Sequence, residues 1–195
     1  FLLTEPDTGS DAANITTTAM ADGHGWLLNG QKAWATNGTD AEVLSTYAQT
    51  VPGSGARGIA AFLVDADQPG VTREPAYDML GAHSTGTAAF RFENVRLEPD
   101  QLFVPAGEAF RAAMEAIDIA RIVVSAMCTG LLQCGLDTAV RYTRERSAFG
   151  KPLAEQQGLQ WMLADVATDL EAARALADRA ADALDVGREG EAQFG

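Results

Sequence analysis

Cysteine and histidine are nearly absent, with two of each in 195 residues. Cys128 and Cys134 fall six positions apart in a stretch with helical periodicity. At ~100° per residue they turn to different sides, so neither a disulfide nor a shared metal is expected. His24 and His83 have no cysteine or histidine partner nearby, which excludes a zinc-type ligand set and predicts surface or turn histidines. No metal is expected, and a reducing, cytoplasmic setting fits. Basic charge is also short: 14 Lys and Arg face 27 Asp and Glu, for a net charge of −13. Neutralising phosphates needs clustered cations, so nucleic acid is not an expected partner. No uninterrupted apolar run approaches the roughly 20 residues of a membrane span, so no membrane span is expected. No signal peptide is visible. A Rossmann glycine fingerprint, a P-loop, a zinc spacing and a Gly-x-Ser-x-Gly elbow are all missing. The chain opens at Phe1, without Met and inside an apolar run, and closes on Glu191-Ala192-Gln193-Phe194-Gly195 with no helix stop. It therefore reads as a segment of a longer protein.

What is present is an ordinary globular balance, 47% hydrophobic and 21% charged, arranged in two halves. Up to about Pro105 the pattern is strand-like. Thr-rich Ile15–Met20, the runs Val43–Ala48 and Ile59–Val64, and Val71–Arg73 read as strands. Thr87–Val95 alternates, with Phe90 and Phe92 on one side and Arg91 and Glu93 on the other. Trp26–Leu28 and Gln31–Thr36 flank Asn29-Gly30, a pair that favours a tight type I′ hairpin turn. From Glu108 the period becomes helical. Phe110–Arg144 and Leu153–Val186 read as two long helices, broken by Arg146–Pro152 and stopped at Gly187. A short connection makes them antiparallel, as half of a four-helix bundle. Their apolar surface exceeds what one small neighbouring domain covers, so further helices or a partner chain are expected. The class is α+β: a small β-barrel or sandwich, residues 1–105, followed by the first part of a helical bundle, residues 106–195.

Four stretches carry candidate chemistry. In Asn29–Gly38, strand alternation puts Trp34 and Thr36 on one side, an apolar ring beside a hydroxyl. That suits a planar heteroaromatic cofactor, and it also suits an ordinary hairpin. The loop Leu3–Asp11 carries Thr4, Thr8, Gly9 and Ser10, which can turn N–H groups and hydroxyls onto a flavin edge or a pyrophosphate. It also fits a simple Asp- and Ser-rich turn. Asp118 and Arg121, three apart on a helix, share a face and fit a plain ion pair. Arg146-Ser147-Ala148-Phe149-Gly150 fits a capping turn with a buried Phe149.

In this order the four stretches resemble the acyl-CoA dehydrogenase family. The carrying residues are Leu3-Thr4-Glu5-Pro6-x-x-Gly9-Ser10-Asp11 and Asn29-Gly30-x-Lys32-x-Trp34-x-Thr36-Asn37-Gly38. Then come Gly81, Glu93-Asn94-Val95, Arg146-x-Ala148-Phe149-Gly150-Lys151-Pro152 and Glu155-Gln156-Gln157. The resemblance covers the whole chain. It implies the family's middle β-domain followed by the start of its C-terminal helical domain, and a place in fatty acid metabolism. It implies FAD, with Leu3, Thr4, Gly9 and Ser10 lining the flavin, Trp34 and Ala35 beside its ring, and Thr36 near N5. Arg146, Phe149 and Gln157 would reach the FAD of a neighbouring subunit in a homodimer or homotetramer, with Arg146 at the pyrophosphate. Ser10, Asp118 and Arg121 match positions that contact the CoA thioester.

The implied reaction is α,β-dehydrogenation: a glutamate takes the α-proton, hydride goes to N5, and electrons pass to an electron-transfer flavoprotein. That glutamate is expected beyond Gly195. A variant with the base just before the arginine matched by Arg121 is excluded, because Ala120 stands there. His83 occupies a position where many relatives carry Arg, and Ala148 replaces a Thr found in some. Related readings keep the fold and change the chemistry. They are an oxygen-using acyl-CoA oxidase, a flavin monooxygenase, a dehydrogenase of carrier-protein thioesters, and a non-catalytic binding subunit.

Overall fold

A computed structural model describes residues 1–187. The closing segment, residues 188–195, lies outside the described residues, as does that part of the expected 106–195 domain. The chain divides into two compact units, Phe1–Met114 and a second from Glu115 onward.

The first unit is a seven-stranded mixed sheet. Its strands are β1 Thr18–Asp22, β2 Gly25–Ala35, β3 Val43–Gln49, β4 Ile59–Asp65, β5 Val71–Arg73, β6 Ala88–Leu97 and β7 Leu102–Val104, in spatial order β5-β6-β2-β1-β3-β4-β7. The β1–β3 contact is parallel and the other pairings are antiparallel. Strands β2 and β4 stand three places apart in this order, about 14 Å in a flat sheet. Yet the rings of Trp26 on β2 and Phe62 on β4 meet edge-on at 5.3 Å between centroids. The sheet therefore curls over, enclosing Leu28, Phe90, Phe92 and Val95 from one half and Leu44, Phe62 and Val64 from the other. Phe90 and Phe92 point inward and Arg91 and Glu93 outward, as their alternation predicts.

The expected hairpin at Asn29-Gly30 does not form; β2 runs straight through that pair. The hairpin lies earlier, around Gly23-His24, with Asp22 paired to Gly25 and Gly23 at φ +65°. The Asp22-Gly23 dipeptide is an equally good turn signal. Gly30 serves another purpose. At φ +143°, an added Cβ would stand 2.5 Å from Thr17 Oγ1 and 2.7 Å from Thr17 Cα. The strand is a glycine there because the backbone preceding β1 runs against it.

Strands β2 and β6 carry two offsetting bulges. Leu28 pairs with Val95 and Gly30 with Phe92, so β6 holds one extra residue; Asn94 absorbs it at φ +51°, its N–H bonded to Asn29 Oδ1 at 2.8 Å. Lys32 pairs with Phe90 and Ala35 with Ala88, so here β2 holds the extra residue, and Trp34 absorbs it at φ +59°. The second bulge reverses the inward set of β2. Leu28 and Lys32 are buried before it, Ala33 and Ala35 after it.

In the second unit, α1 (Ala109–Glu145, starting in the first unit) and α2 (Gln157–Asp185) are joined by a two-stranded ribbon, β8 Ser147–Ala148 and β9 Lys151–Pro152. They run antiparallel, linked where Arg174 Nη2 donates to Gln133 Oε1 at 2.8 Å. Gly187 ends α2 as expected: at φ +70°, its N–H bonds to the Leu184 carbonyl. Surplus apolar surface is also present as expected, with Val123, Val124, Met127 and Leu131 on α1 and Trp161, Met162 and Leu176 on α2 all exposed. The helix α1 is more apolar than its interrupted sequence suggests. By length and composition alone, α1 is apolar enough to cross a membrane. Asp118 and Arg121 interrupt the apolar sequence there, so no unbroken run stands out.

Gly30→Ala is expected to destabilise the protein by about 3 kcal/mol, through backbone strain and overpacking against Thr17. Urea unfolding of the full-length protein measures this, and a change below about 0.5 kcal/mol would remove the close approach as the reason for glycine there.

Candidate functional site

The loop Leu3–Asp11 is fixed from beneath by a buried ion pair. Lys32 Nζ donates to Glu5 Oε1 at 2.9 Å and to the Leu3 carbonyl at 2.9 Å. The two side chains are 0% and 3% exposed. Glu5 Oε1 also accepts from Thr17 N at 2.8 Å, while Oε2 accepts from Thr16 N at 2.6 Å and Thr16 Oγ1 at 2.7 Å. Burial alone would raise the Glu5 pKa. The Lys32 charge and the Thr16 and Thr17 hydrogen bonds outweigh burial and hold it down to about 2. Burial pushes Lys32 down to about 8 against the opposing pull of Glu5. With two donors on each oxygen and no water contact, Glu5 is a structural carboxylate rather than a base.

Above this pair lies an exposed rim. Glu5 and Thr8 exchange backbone hydrogen bonds at 2.9 and 3.2 Å, closing a turn on Pro6-Asp7. Gly9, Ser10 and Asp11 follow, all exposed. The Thr4 carbonyl accepts from Ala33 N at 2.9 Å, which sets the loop beside Trp34. Trp34 is 55% exposed. Plain alternation is not what turns it outward, since the even-numbered residues of β2 up to Lys32 face the core; the left-handed bulge is. Ala35 is buried. Thr36 is exposed just past the end of β2, in a turn closed by Gly38 N on the Ala35 carbonyl at 3.1 Å. Trp34 and Thr36 thus both reach the surface, on either side of buried Ala35. Leu3 is buried too, and its carbonyl is held by Lys32.

In the second unit the β8–β9 ribbon turns on Phe149 and Gly150, both left-handed at φ +53° and +79°. Phe149 is 97% exposed, so the capping turn with a buried phenyl ring does not form. The two-residue ribbon leaves its tip no core to enter. Arg146 and Gln157 are exposed at the same end of the helix pair, and the Arg146 carbonyl accepts from Leu153 N at 2.8 Å. Asp118 and Arg121 form the expected i,i+3 ion pair at 3.0 Å, with Arg121 75% exposed. His24 and His83 are exposed turn residues. Among the described residues, no group of three or more His, Cys, Asp or Glu is placed to hold a metal ion.

Glu5 and Lys32 stand within the sequence motifs, which by themselves assign them no role. The signal was available: Lys32 sits at an inward position of a strand, where a charge demands a partner. Tyr77 was missed entirely. Its ring stacks on Trp34, 4.0 Å between centroids and 20° between planes. It lies in an irregular stretch whose sequence carries no periodicity to place it.

Known proteins resemble this chain in sequence and fold. Residues 1–95 match the family model described as acyl-CoA dehydrogenase, middle domain, and residues 107–194 match the model described as acyl-CoA dehydrogenase, C-terminal domain. The mitochondrial short-chain specific acyl-CoA dehydrogenase of Bos taurus is 44% identical over 181 residues, 93% of this chain and 44% of that protein. Among solved structures, butyryl-CoA dehydrogenase from Megasphaera elsdenii gives a TM-score of 0.92 at 34% identity, covering 98% of this chain and 51% of its own. PigA with FAD and proline gives 0.93 at 29% identity, covering 98% and 50%. The chain spans about half the length of the proteins it matches.

The Glu5 shift predicts an acid transition. Because the folded pKa is depressed, its stabilisation is complete above the ordinary value of 4.5 and is lost as pH falls through about 2. The stake is on the order of 3 kcal/mol. Glu5→Gln is expected to lower stability at pH 7 by roughly 3–5 kcal/mol, by stranding Lys32, and to flatten the acid limb. Adding Lys32→Met should recover much of that loss. Unfolding titrations from pH 7 to pH 2 read both effects, and an unchanged acid limb in Glu5→Gln would contradict the assignment.

Proposed function

The chain belongs to the acyl-CoA dehydrogenase family, and on that premise we propose that the full protein is an FAD-dependent dehydrogenase of an acyl-CoA thioester. The observation that carries this reading is Trp34, an indole turned out of its own strand by a left-handed bulge, beside a hydroxyl and an exposed loop.

The residues present fit FAD, a planar heteroaromatic joined to a diphosphate. In the first unit, Trp34 and Thr36 offer a flat apolar face and a hydrogen-bonding group for the ring system. Thr4 and Ser10 add hydroxyls, and an added Cβ on Gly9 would meet nothing within 4 Å, so a ligand can approach the backbone there. Leu3 and Ala35, with buried side chains, take part through shape and backbone only. In the second unit, Arg146 offers a guanidinium suited to a diphosphate. Phe149 and Gln157 offer an exposed ring and an exposed amide. These three would serve the FAD of a second subunit, which makes the protein a homodimer or homotetramer.

Bound FAD would supply the acceptor for the hydrogen leaving the β-carbon of the thioester. The chain's own residues hold and orient. Ser10 and Arg121, the latter steadied by Asp118, would meet the thioester end of the substrate. None of these residues takes the α-proton: Glu5 is spent on Lys32 and the Thr16 and Thr17 N–H groups, and Ala120 carries no acid. The base is a glutamate from another part of the full protein. Electrons leave to an electron-transfer flavoprotein, and the enzyme works in the cytoplasm.

The test is spectroscopic. The full-length protein reconstituted with FAD should show flavin absorbance bands that bleach anaerobically with butyryl-CoA; absence of any bound flavin overturns the reading. Rapid reoxidation by air with release of peroxide would reassign the enzyme as an oxidase. Arg146→Ala should weaken FAD retention by about tenfold or more with little change in Tm, as expected for one lost charge-assisted hydrogen bond. Unchanged flavin content after gel filtration would remove Arg146 from the site.

A further inference from the structure

We propose that Tyr77 is a positioning residue that holds the Trp34 indole in place and leaves one face of it for the flavin; this rests on the assignment of Trp34 to the flavin site. The two rings stack at 4.0 Å and 20°. Both are fixed by backbone on opposite sides of β6. Trp34 sits in the bulge of β2 opposite the start of β6, between the Lys32↔Phe90 and Ala35↔Ala88 pairs. On the other side, Tyr77 N donates to the Thr87 carbonyl at 2.9 Å and Glu74 N to the Ala89 carbonyl at 2.9 Å. The intervening residues Thr87, Ala88 and Ala89 are small, so the two rings can meet across the strand.

An indole that is 55% exposed has little core packing to define its rotamer. Offset stacking against a ring of fixed origin supplies that definition. It also takes one face of the indole. A planar ligand is then confined to the other face or to the edge, next to Thr36 and the Thr4 loop. Tyr77 touches neither the reacting atoms nor the thioester; it acts through Trp34.

Three variants of the full-length protein test this. In the FAD-free protein, Tyr77→Ala should change the near-ultraviolet circular dichroism that Trp34→Ala also changes, while Tyr77→Phe, which keeps the ring, should not. In the reconstituted protein, Tyr77→Ala should raise the FAD dissociation constant by about fivefold, the equivalent of one lost aromatic pair. It should also shift the visible flavin spectrum, with Tm held and Tyr77→Phe matching wild type. A purely structural tyrosine would move Tm and leave the flavin spectrum alone. Wild-type affinity and spectrum in Tyr77→Ala overturn this role alone. Tighter FAD binding in Tyr77→Ala also overturns it, because Tyr77 would then compete for the flavin's face. A wild-type protein that takes up no FAD overturns the flavin reading and this role together.

Discussion

The exposed loop of the first unit is held by two charges shut almost wholly away from water. Lys32 reaches through the sheet to hold the Leu3 carbonyl and Glu5, and Glu5 in turn gathers the N–H groups of Thr16 and Thr17. One cation and one anion thereby fix three chain segments: the entry to the loop, the approach to β1 and the middle of β2. The two pKa shifts act in opposite directions on stability at neutral pH, since a depressed carboxylate favours the fold and a depressed ammonium opposes it. On general grounds such a pair is a weak source of net stability, because desolvating both charges offsets their attraction. Its contribution is geometric: with both charges committed, the loop has one place to be, because any other leaves a buried ion alone.

The parts of the structure legible in sequence were those governed by period. Alternation at Phe90–Glu93 and the 3.6-residue rhythm of both helices left little choice, since burial of one face is worth more than any local preference. The α+β class followed from them. Turn chemistry was read less well. Asn29-Gly30 and Asp22-Gly23 offer the same local invitation, and the choice between them is made by a tertiary contact, the close passage of Thr17 over Gly30. The exposure of Trp34 was anticipated for the wrong reason. Plain alternation from Leu28 would have put it in the core, and only the extra residue in β2 brings it out. Tyr77 was invisible because its position is set by hydrogen bonds to β6 rather than by any pattern of its own.

The second unit shows the opposite balance. Its two helices bury little between them, Leu170, Ala177, Ala180 and Ala183 on α2 being the buried set, and leave large apolar side chains on their outer faces. At its end the ribbon spends two left-handed residues to hold Phe149 almost wholly in solvent. In the first unit the buried polar cluster organises an exposed rim; in the second, an exposed rim stands on helices whose packing is incomplete by themselves. The α1–α2 pair thus leaves apolar faces that its own packing does not cover.

The paired bulges carry a consequence for how this segment can vary among related sequences. Each adds one residue, Asn94 to β6 and Trp34 to β2, and the additions cancel so that Ala35 still meets Ala88. A single-residue deletion in either strand would slide every later pair by one, whereas one deletion in each would leave the ladder whole and turn position 34 inward. Strand lengths here can therefore drift only in matched steps, and the matched step removes the exposed indole. Insertions and deletions should instead collect in the loop between β3 and β4, where length is free of register.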